Sequence, residues 1–319
     1  MGAHPTLLFT GASGLVGASL YRAAFALDQG ASSKWRVVLA VHRRSAPSPL
    51  RRGDRIVKCD LSRPGEAGRL VAAVEPQAVL HAAALASLSE CEALPALAQR
   101  MNGAATAELA RTAADAGVHF VHLSTDQVFD GDQTFDGERG AYREEDEPRP
   151  RTVYGASKLA GERAVLQGGE ALVLRAALVL APSASGRSGA LDLVRGAGQD
   201  GAPAEVPLFV DEWRTPLSVL DLARVVVEAL KRRATGILHV AGPDRVNRLE
   251  LGLRIAAAFP PPVGSPPPRL LAAEQRAAGH VRPRDVSLAV ERITREGWPR
   301  PAGLEPALAE LRAWIDATR

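Results

Sequence analysis

The sequence predicts a doubly wound α/β fold, in which a parallel sheet is covered by helices on both faces and joined to a smaller, mixed α/β domain. Three observations carry that reading. Short apolar runs of strand character alternate with helical patterns through the first half of the chain. The strands are apolar along their whole length rather than at every second position, so both faces must be buried. A glycine-rich turn closes the first strand and opens a helix.

The first strand, 6–10, runs into Gly11-Ala12-Ser13-Gly14-Leu15-Val16-Gly17, and a helical pattern follows over 15–27. Gly11 permits a tight turn, Gly14 lets the backbone approach a phosphate, and Gly17 lets the helix pack closely on the strand. Among 29 glycines, three at these spacings arise by chance with a probability of about 0.2. The turn is informative because it follows the first strand of an alternating fold. It predicts a dinucleotide whose pyrophosphate meets Gly11, Ser13, Gly14, Leu15, Val16 and Gly17.

The second strand, 35–41, ends in Val41-His42-Arg43-Arg44. An acidic residue there would hold the ribose 2′-hydroxyl of NAD, whereas guanidinium groups suit a 2′-phosphate. Arg43 and Arg44 therefore favour NADP(H) over NAD(H), against the plainer reading of a solvated basic corner. The third strand, 55–59, leads to Asp60 and Leu61; Asp60 could accept from an adenine amine or cap the next helix. A helix at 66–74, a strand at 78–83, a helix at 94–116 and a strand at 119–124 follow. A helix at 153–167 and a strand at 171–180 complete the alternation.

Beyond residue 179 the rhythm changes. A Gly/Ser/Pro-rich stretch (182–189) precedes a helix near 190–195 and a strand at 206–210. An amphipathic helix at 218–232 and a buried strand at 236–241 come next. A helix at 249–259, a Pro-rich connector at 260–268 and a helix at 304–317 end the chain. The expected division is a dinucleotide-binding domain over 1–178, to which 217–241 returns, and a substrate-binding domain from 179–216 and 242–319.

Composition narrows the function. Hydrophobic residues make up 46% of the 319, enough for a large core. No run reaches the roughly 18 apolar residues of a membrane span, so no membrane partner is expected. Net charge is only +3 and aromatics are 4%, which gives neither the basic stripe nor the stacking platforms of a nucleic-acid binder. Cys59 and Cys91 form no metal spacing and no disulfide framework, so a cytoplasmic location is the expectation. His119 and His122 are three apart on a strand and point to opposite faces, so no metal site is expected.

Tyr154-Gly155-Ala156-Ser157-Lys158 is the most informative pentapeptide. Residues four apart share a helix face, and a nearby ammonium would stabilise a phenolate. With three tyrosines and four lysines in the chain, such a pair has a chance probability of only about 0.04. Tyr154 is the expected general acid and Lys158 its partner. Thr125, beside Ser124 at the carboxyl end of the fifth strand, would hydrogen-bond a substrate carbonyl, because ligands bind outside those strand ends.

The motifs TGASGLVG, HAAALASLSECE, LSTDQVFDG, Tyr142-Arg143-Glu144-Glu145-Asp146, VYGASKLAGE and Asp211-Glu212-Trp213-Arg214-Thr215-Pro216 occur in one order. In this the chain resembles the extended short-chain dehydrogenase/reductases, and most closely the dTDP-4-dehydrorhamnose reductase branch, over most of its length. The resemblance implies a Rossmann-type first domain and hydride transfer from NADPH to a keto nucleotide deoxysugar. It places Thr125, Tyr154 and Lys158 at catalytic positions, with Lys158 also on the nicotinamide ribose and Ala82, Ala83 and Ala84 beside the cofactor. It places Ser87, Thr125, Asp126, Arg214 and Arg282 at the substrate, the arginines at a diphosphate. The assembly expected is a monomer or homodimer.

The sequence departs from the branch at Arg175-Ala176-Ala177-Leu178, where an Arg-Thr-Ser-Trp-like segment is usual, at His81, where Asn is common, and at Arg214-Thr215-Pro216. Asp126-Gln127 replaces the Asp-Glu of sugar dehydratases, and Gln cannot act as a carboxylate base. The alternatives are a reductase of another small carbonyl metabolite and a non-catalytic, NADP-binding regulatory subunit.

Overall fold

The computed structural model describes residues 4–26, 34–42, 46–47, 49–132, 134–135, 138–139, 141–182, 189–195, 205–261, 267–275 and 282–318. Seven parallel strands form its central sheet: β1 (Thr6–Thr10), β2 (Arg36–Val41), β3 (Arg55–Lys58), β4 (Ala78–His81), β5 (His119–Thr125), β6 (Ala171–Ala176) and β7 (Gly236–Val240). Their order is β7-β6-β5-β4-β1-β2-β3. The chain leaves β1 toward one edge and returns at β4 on the other side. That reversal opens a crevice at the carboxyl ends of β1 and β4.

Successive side chains of one strand serve two cores, which is why the strands are apolar throughout. Leu7 and Phe9 join Leu20, Phe25 and Leu80 on one face. Leu8 joins Val38, Val79 and Phe120 on the other. Each fully buried side chain of this kind contributes roughly 1.5–3 kcal/mol. Phe9 lies in register with Leu39 and Leu80, so the crevice stands on the most buried part of the sheet. The Val219–Arg232 helix covers one face; Ser218 caps it through Leu220 N, and Lys231 and Arg232 complement its carboxyl end.

Three expectations need correction. The strand expected over 171–180 stops at Ala176: Ala177 N–H turns to Val240 O (3.0 Å), and Val179–Leu180 pairs instead with Leu217–Ser218. The helix expected over 94–116 is three segments, Pro95–Ala98, a π turn at Gln99–Ala104, and Ala105–Asp115, and an unforeseen helix, Leu88–Ala93, precedes them. Pro95 disfavours helical geometry at Leu94 (φ −132°, ψ 63°). Beyond the Pro-rich connector, Arg269–Ala273 forms an unforeseen strand parallel to Glu205–Phe209. A short antiparallel ladder pairs Trp213–Arg214 with Val246–Asn247. No helix among the described residues is long and apolar enough to cross a membrane.

Candidate active site

The turn after β1 is as tight as its glycines allow. Gly11 has φ +80°, and a Cβ there would lie 2.4 Å from Ala83 N; one on Gly17 would lie 2.1 Å from Gly11 O. Gly14 N–H closes the turn on Gly11 O (3.0 Å). No side chain caps the helix Leu15–Tyr21 that begins there, so its leading N–H groups are available to an anion. Ser13, Leu15 and Val16 are half-buried around it. Half-buried Ala82, Ala83 and Ala84 follow β4 alongside, Ala82 N–H bonding Thr10 O (3.1 Å). These residues fit a dinucleotide pyrophosphate.

Leu61 is buried. Asp60 Oδ1 accepts from Ser62 N and Oγ (3.0 and 2.6 Å), and its Oδ2 lies 3.4 Å from His42 Nε2. One oxygen therefore closes a local turn and the other faces the end of β2. Arg43 and Arg44 lie outside the described residues.

Tyr154 and Lys158 stand on the helix Val153–Gln167, which Thr152 caps by accepting from Gly155 N (3.0 Å). A Cβ on Gly155 would sit 2.1 Å from Gln127 O, so only glycine lets this helix touch the Thr125-Asp126-Gln127 turn. That contact sets Tyr154 beside Thr125, whose side chain favours the ionised phenol. Thr125 Oγ1 donates to Asp126 Oδ1 (3.1 Å). Burial pushes the Tyr154 phenol well above its ordinary range, outweighing Thr125.

The expected stabilisation of the phenolate by Lys158 is not what this arrangement shows. Lys158 Nζ instead donates to Leu123 O (2.8 Å) and His122 Nε2 (3.2 Å). Burial lowers the lysine to about 8, partly opposed by Glu162. The lysine is thus a buried cation on a polar floor, and the Tyr154 phenol is protonated at neutral pH.

That floor was invisible in the sequence. His122 accepts from Lys158 and stacks on His81 at 5.2 Å. His81 bridges Thr10 (2.6 Å) and Thr106 (2.9 Å). Burial, reinforced by the Lys158 charge, holds His81 down at about 3 and His122 well below its ordinary value, so both rings are neutral. Asn102, projecting from the π turn, clamps Leu85 N and O (2.8 and 3.0 Å) and Ser157 Oγ (2.9 Å). It ties the Val153–Gln167 helix to the segment after β4. No motif marks it.

Arg175, the first residue of the departing segment, is a strut. Its guanidinium pairs with buried Glu162 (Nη2 at 2.9 Å, Nε at 3.1 Å) and lies over the Phe129 ring at 5.2 Å. Ser124 Oγ donates to the same carboxylate (2.5 Å). Ser124 therefore braces the helix while its neighbour Thr125 faces Tyr154. Ser87 is exposed and caps the helix Leu88–Ala93, accepting from Glu90 N (3.3 Å).

Glu212 gathers three arginines. Arg214 Nη2 lies 3.1 Å from Oε1, Arg248 Nε 3.8 Å from Oε1, and Arg282 Nη1 3.8 Å from Oε2. Arg214 is fully buried and already donates to Trp213 O (2.6 Å) and Pro283 O (3.3 Å). Asp126 is buried beside this group. Desolvation raises its carboxyl to about 6 despite the nearby Arg214 charge.

Comparison with known proteins places these features in a family. The family model described as the RmlD substrate binding domain matches residues 5–314. The "probable low-salt glycan biosynthesis reductase Agl14" of Haloferax volcanii is 34% identical over 241 residues, 74% of this chain and 76% of that one. The dTDP-4-keto-6-deoxy-D-glucose reductase of Streptomyces niveus is 30% identical, covering 76% and 77%. The methionine adenosyltransferase 2 subunit beta of Xenopus laevis is 29% identical, covering 79% and 71%. Among solved structures, a dTDP-4-dehydrorhamnose reductase of Bacillus anthracis in complex with NADP superposes with a TM-score of 0.80 at 20% identity, covering 98% of this chain and 99% of that one.

Proposed function

This chain belongs to the RmlD substrate binding domain family, within the extended short-chain dehydrogenase/reductases, and from that premise we propose that it is an NADPH-dependent reductase of a keto group on a nucleotide-activated deoxysugar. The observation that carries the reading is that the helix bearing Tyr154 and Lys158 packs through Gly155 on the Thr125-Asp126-Gln127 turn at the carboxyl end of β5, with Lys158 anchored on Leu123 O. The reductases of Streptomyces niveus and Haloferax volcanii support the reaction class.

The bound reduced nicotinamide supplies a hydride. Everything else falls to the chain. Gly11 and Ser13 to Gly17 would hold the pyrophosphate, Asp60 and Leu61 the adenine side, Arg43 and Arg44 a 2′-phosphate, and Ala82 to Ala84 the adjoining wall. Thr125 orients the carbonyl oxygen, and Tyr154 gives that oxygen its proton. A phenol kept protonated by burial is in the state that reduction requires. Lys158, fixed on Leu123 O and His122, would hold the nicotinamide ribose and keep positive charge below the tyrosine while the oxygen carries negative charge.

The test mixes the protein with dTDP-4-keto-6-deoxyglucose and NADPH, with NADH in parallel, and follows nicotinamide absorbance. Sugar-dependent oxidation, faster with NADPH, is the expected result. NADPH binding without turnover on any keto sugar nucleotide would overturn it. That outcome leads to the second reading, a non-catalytic NADP-binding subunit, which the similarity to the Xenopus laevis subunit beta favours. NADPH turnover confined to non-nucleotide ketones would instead make it a reductase of another small carbonyl metabolite.

A further inference from the structure

The rows of side chains that cross β1, β4 and β5 change character near the crevice. Leu8, Val79 and Phe120 lie in register and belong to one apolar core. Two residues nearer the carboxyl ends of the strands, and so on the same face, Thr10, His81 and His122 lie in register instead. All three are fully buried. Polar side chains in such a place cost free energy that only a bonded network offsets.

His81 is the most constrained of the three. One ring nitrogen meets Thr10 Oγ1 (2.6 Å) and the other Thr106 Oγ1 (2.9 Å), so the ring cannot turn without breaking a bond on each side. The Phe120 ring flanks it at 5.8 Å. His122 is held differently. Its Nε2 meets Lys158 Nζ (3.2 Å), and its ring stacks on His81 with centroids 5.2 Å apart and planes 22° apart. Because both rings are neutral, Nε2 offers the ammonium a lone pair. The stack on a clamped ring decides which way that lone pair points. The other acceptor of Lys158, Leu123 O (2.8 Å), belongs to the main chain and is fixed by the strand. The freedom left to the lysine head is therefore that of the His122 ring.

We infer that His81 is a positioning residue for Lys158: its ring, clamped between Thr10 and Thr106, is the platform that orients His122, and His122 sets the lysine for the nicotinamide ribose. The inference rests on the cofactor reading above and extends it to a residue that stands beneath the lysine. No motif marks the arrangement, and Asn, common in the branch at position 81, has no ring to stack.

The test titrates the full chain with NADPH by calorimetry, well below the melting temperature of each variant, and records that temperature as well. His81→Asn removes the ring and should raise the NADPH Kd at least ~5-fold, the scale of weakening one hydrogen bond to a charged group. His81→Phe returns a ring without the two nitrogens. It should melt lower than the wild type, because the Thr10 and Thr106 hydroxyls lose their partner, yet recover the Kd to within about threefold. His122→Phe should also weaken NADPH binding, and adding His81→Asn to it should cost less than about twofold more, since His81 acts through His122. With the keto sugar, kcat should follow the same order while its KM stays within about threefold. A wild-type Kd in His81→Asn overturns the inference, as does equal weakening in His81→Phe or full additivity with His122→Phe. Should His81→Phe fail to fold, the additivity decides alone. A wild type that binds NADPH and reduces no keto sugar removes the reductase reading and leaves the inference to these binding measurements. One that binds no NADPH overturns both.

Discussion

Tyr154 and Lys158 are shifted in opposite directions by one cause. Burial disfavours the charged form of each, so the phenol rises and the ammonium falls to about 8. A neutral acid one helical turn from a firmly held cation suits proton donation to a carbonyl. Tyr154→Phe should keep NADPH affinity and lose at least ~100-fold in turnover, the usual scale of general acid catalysis; near-normal turnover would refute the assigned role. Asp126 gives a pH test. Its carboxyl is raised to about 6, so between its unfolded value and pH 6 the folded state binds more protons. Stability therefore falls as pH rises through that window. Asp126→Asn should melt higher than the wild type at pH 8, by up to about 3 kcal/mol in stability, and the two should converge near pH 4. A gap independent of pH would show that burial of the charge is not the cause.

At the scale of elements, the helix that carries Tyr154 and Lys158 is placed by polar struts rather than by its apolar stripe. Glu162 binds Arg175 from β6 and Ser124 from β5, while Asn102 holds Ser157 from the π turn. The helix and the strands were legible in periodicity, but these cross-links were not. Glu162 reads as an ordinary helical glutamate and Arg175 as a departure from the branch, until the two meet with side chains only 1% and 3% exposed. Glu162→Gln leaves a buried guanidinium without its counter-charge, which costs roughly 3–5 kcal/mol. The urea midpoint should fall accordingly, and Arg175→Met in the Glu162→Gln background should recover part of the loss. Further destabilisation by the second change would contradict the pairing.

Over the whole molecule, the cofactor crevice draws on the turn after β1, the ends of β2 and β3, and the segment after β4. A ligand that binds this folded arrangement alone must stabilise it. NADPH at about 100 times its Kd should add about 2.7 kcal/mol, seen as a rise of a few degrees in the melting temperature. NADH at the same concentration should add less if Arg43 and Arg44 meet a 2′-phosphate. Equal shifts would remove the basis for that preference.

The parallel sheet, the glycine turn and the Tyr154–Lys158 spacing could be read from the chain alone, because each depends on local periodicity or on residues adjacent along it. Where Lys158 points, what Arg175 does and which arginines remain loosely held emerge only on folding. Those outcomes depend on partners far apart in sequence: His122 lies 36 residues from Lys158, and Pro283 lies 69 from Arg214. A guanidinium looks alike in every motif. Whether it becomes a strut or a ligand-binding arm is set by how many of its donors the folded chain has already satisfied.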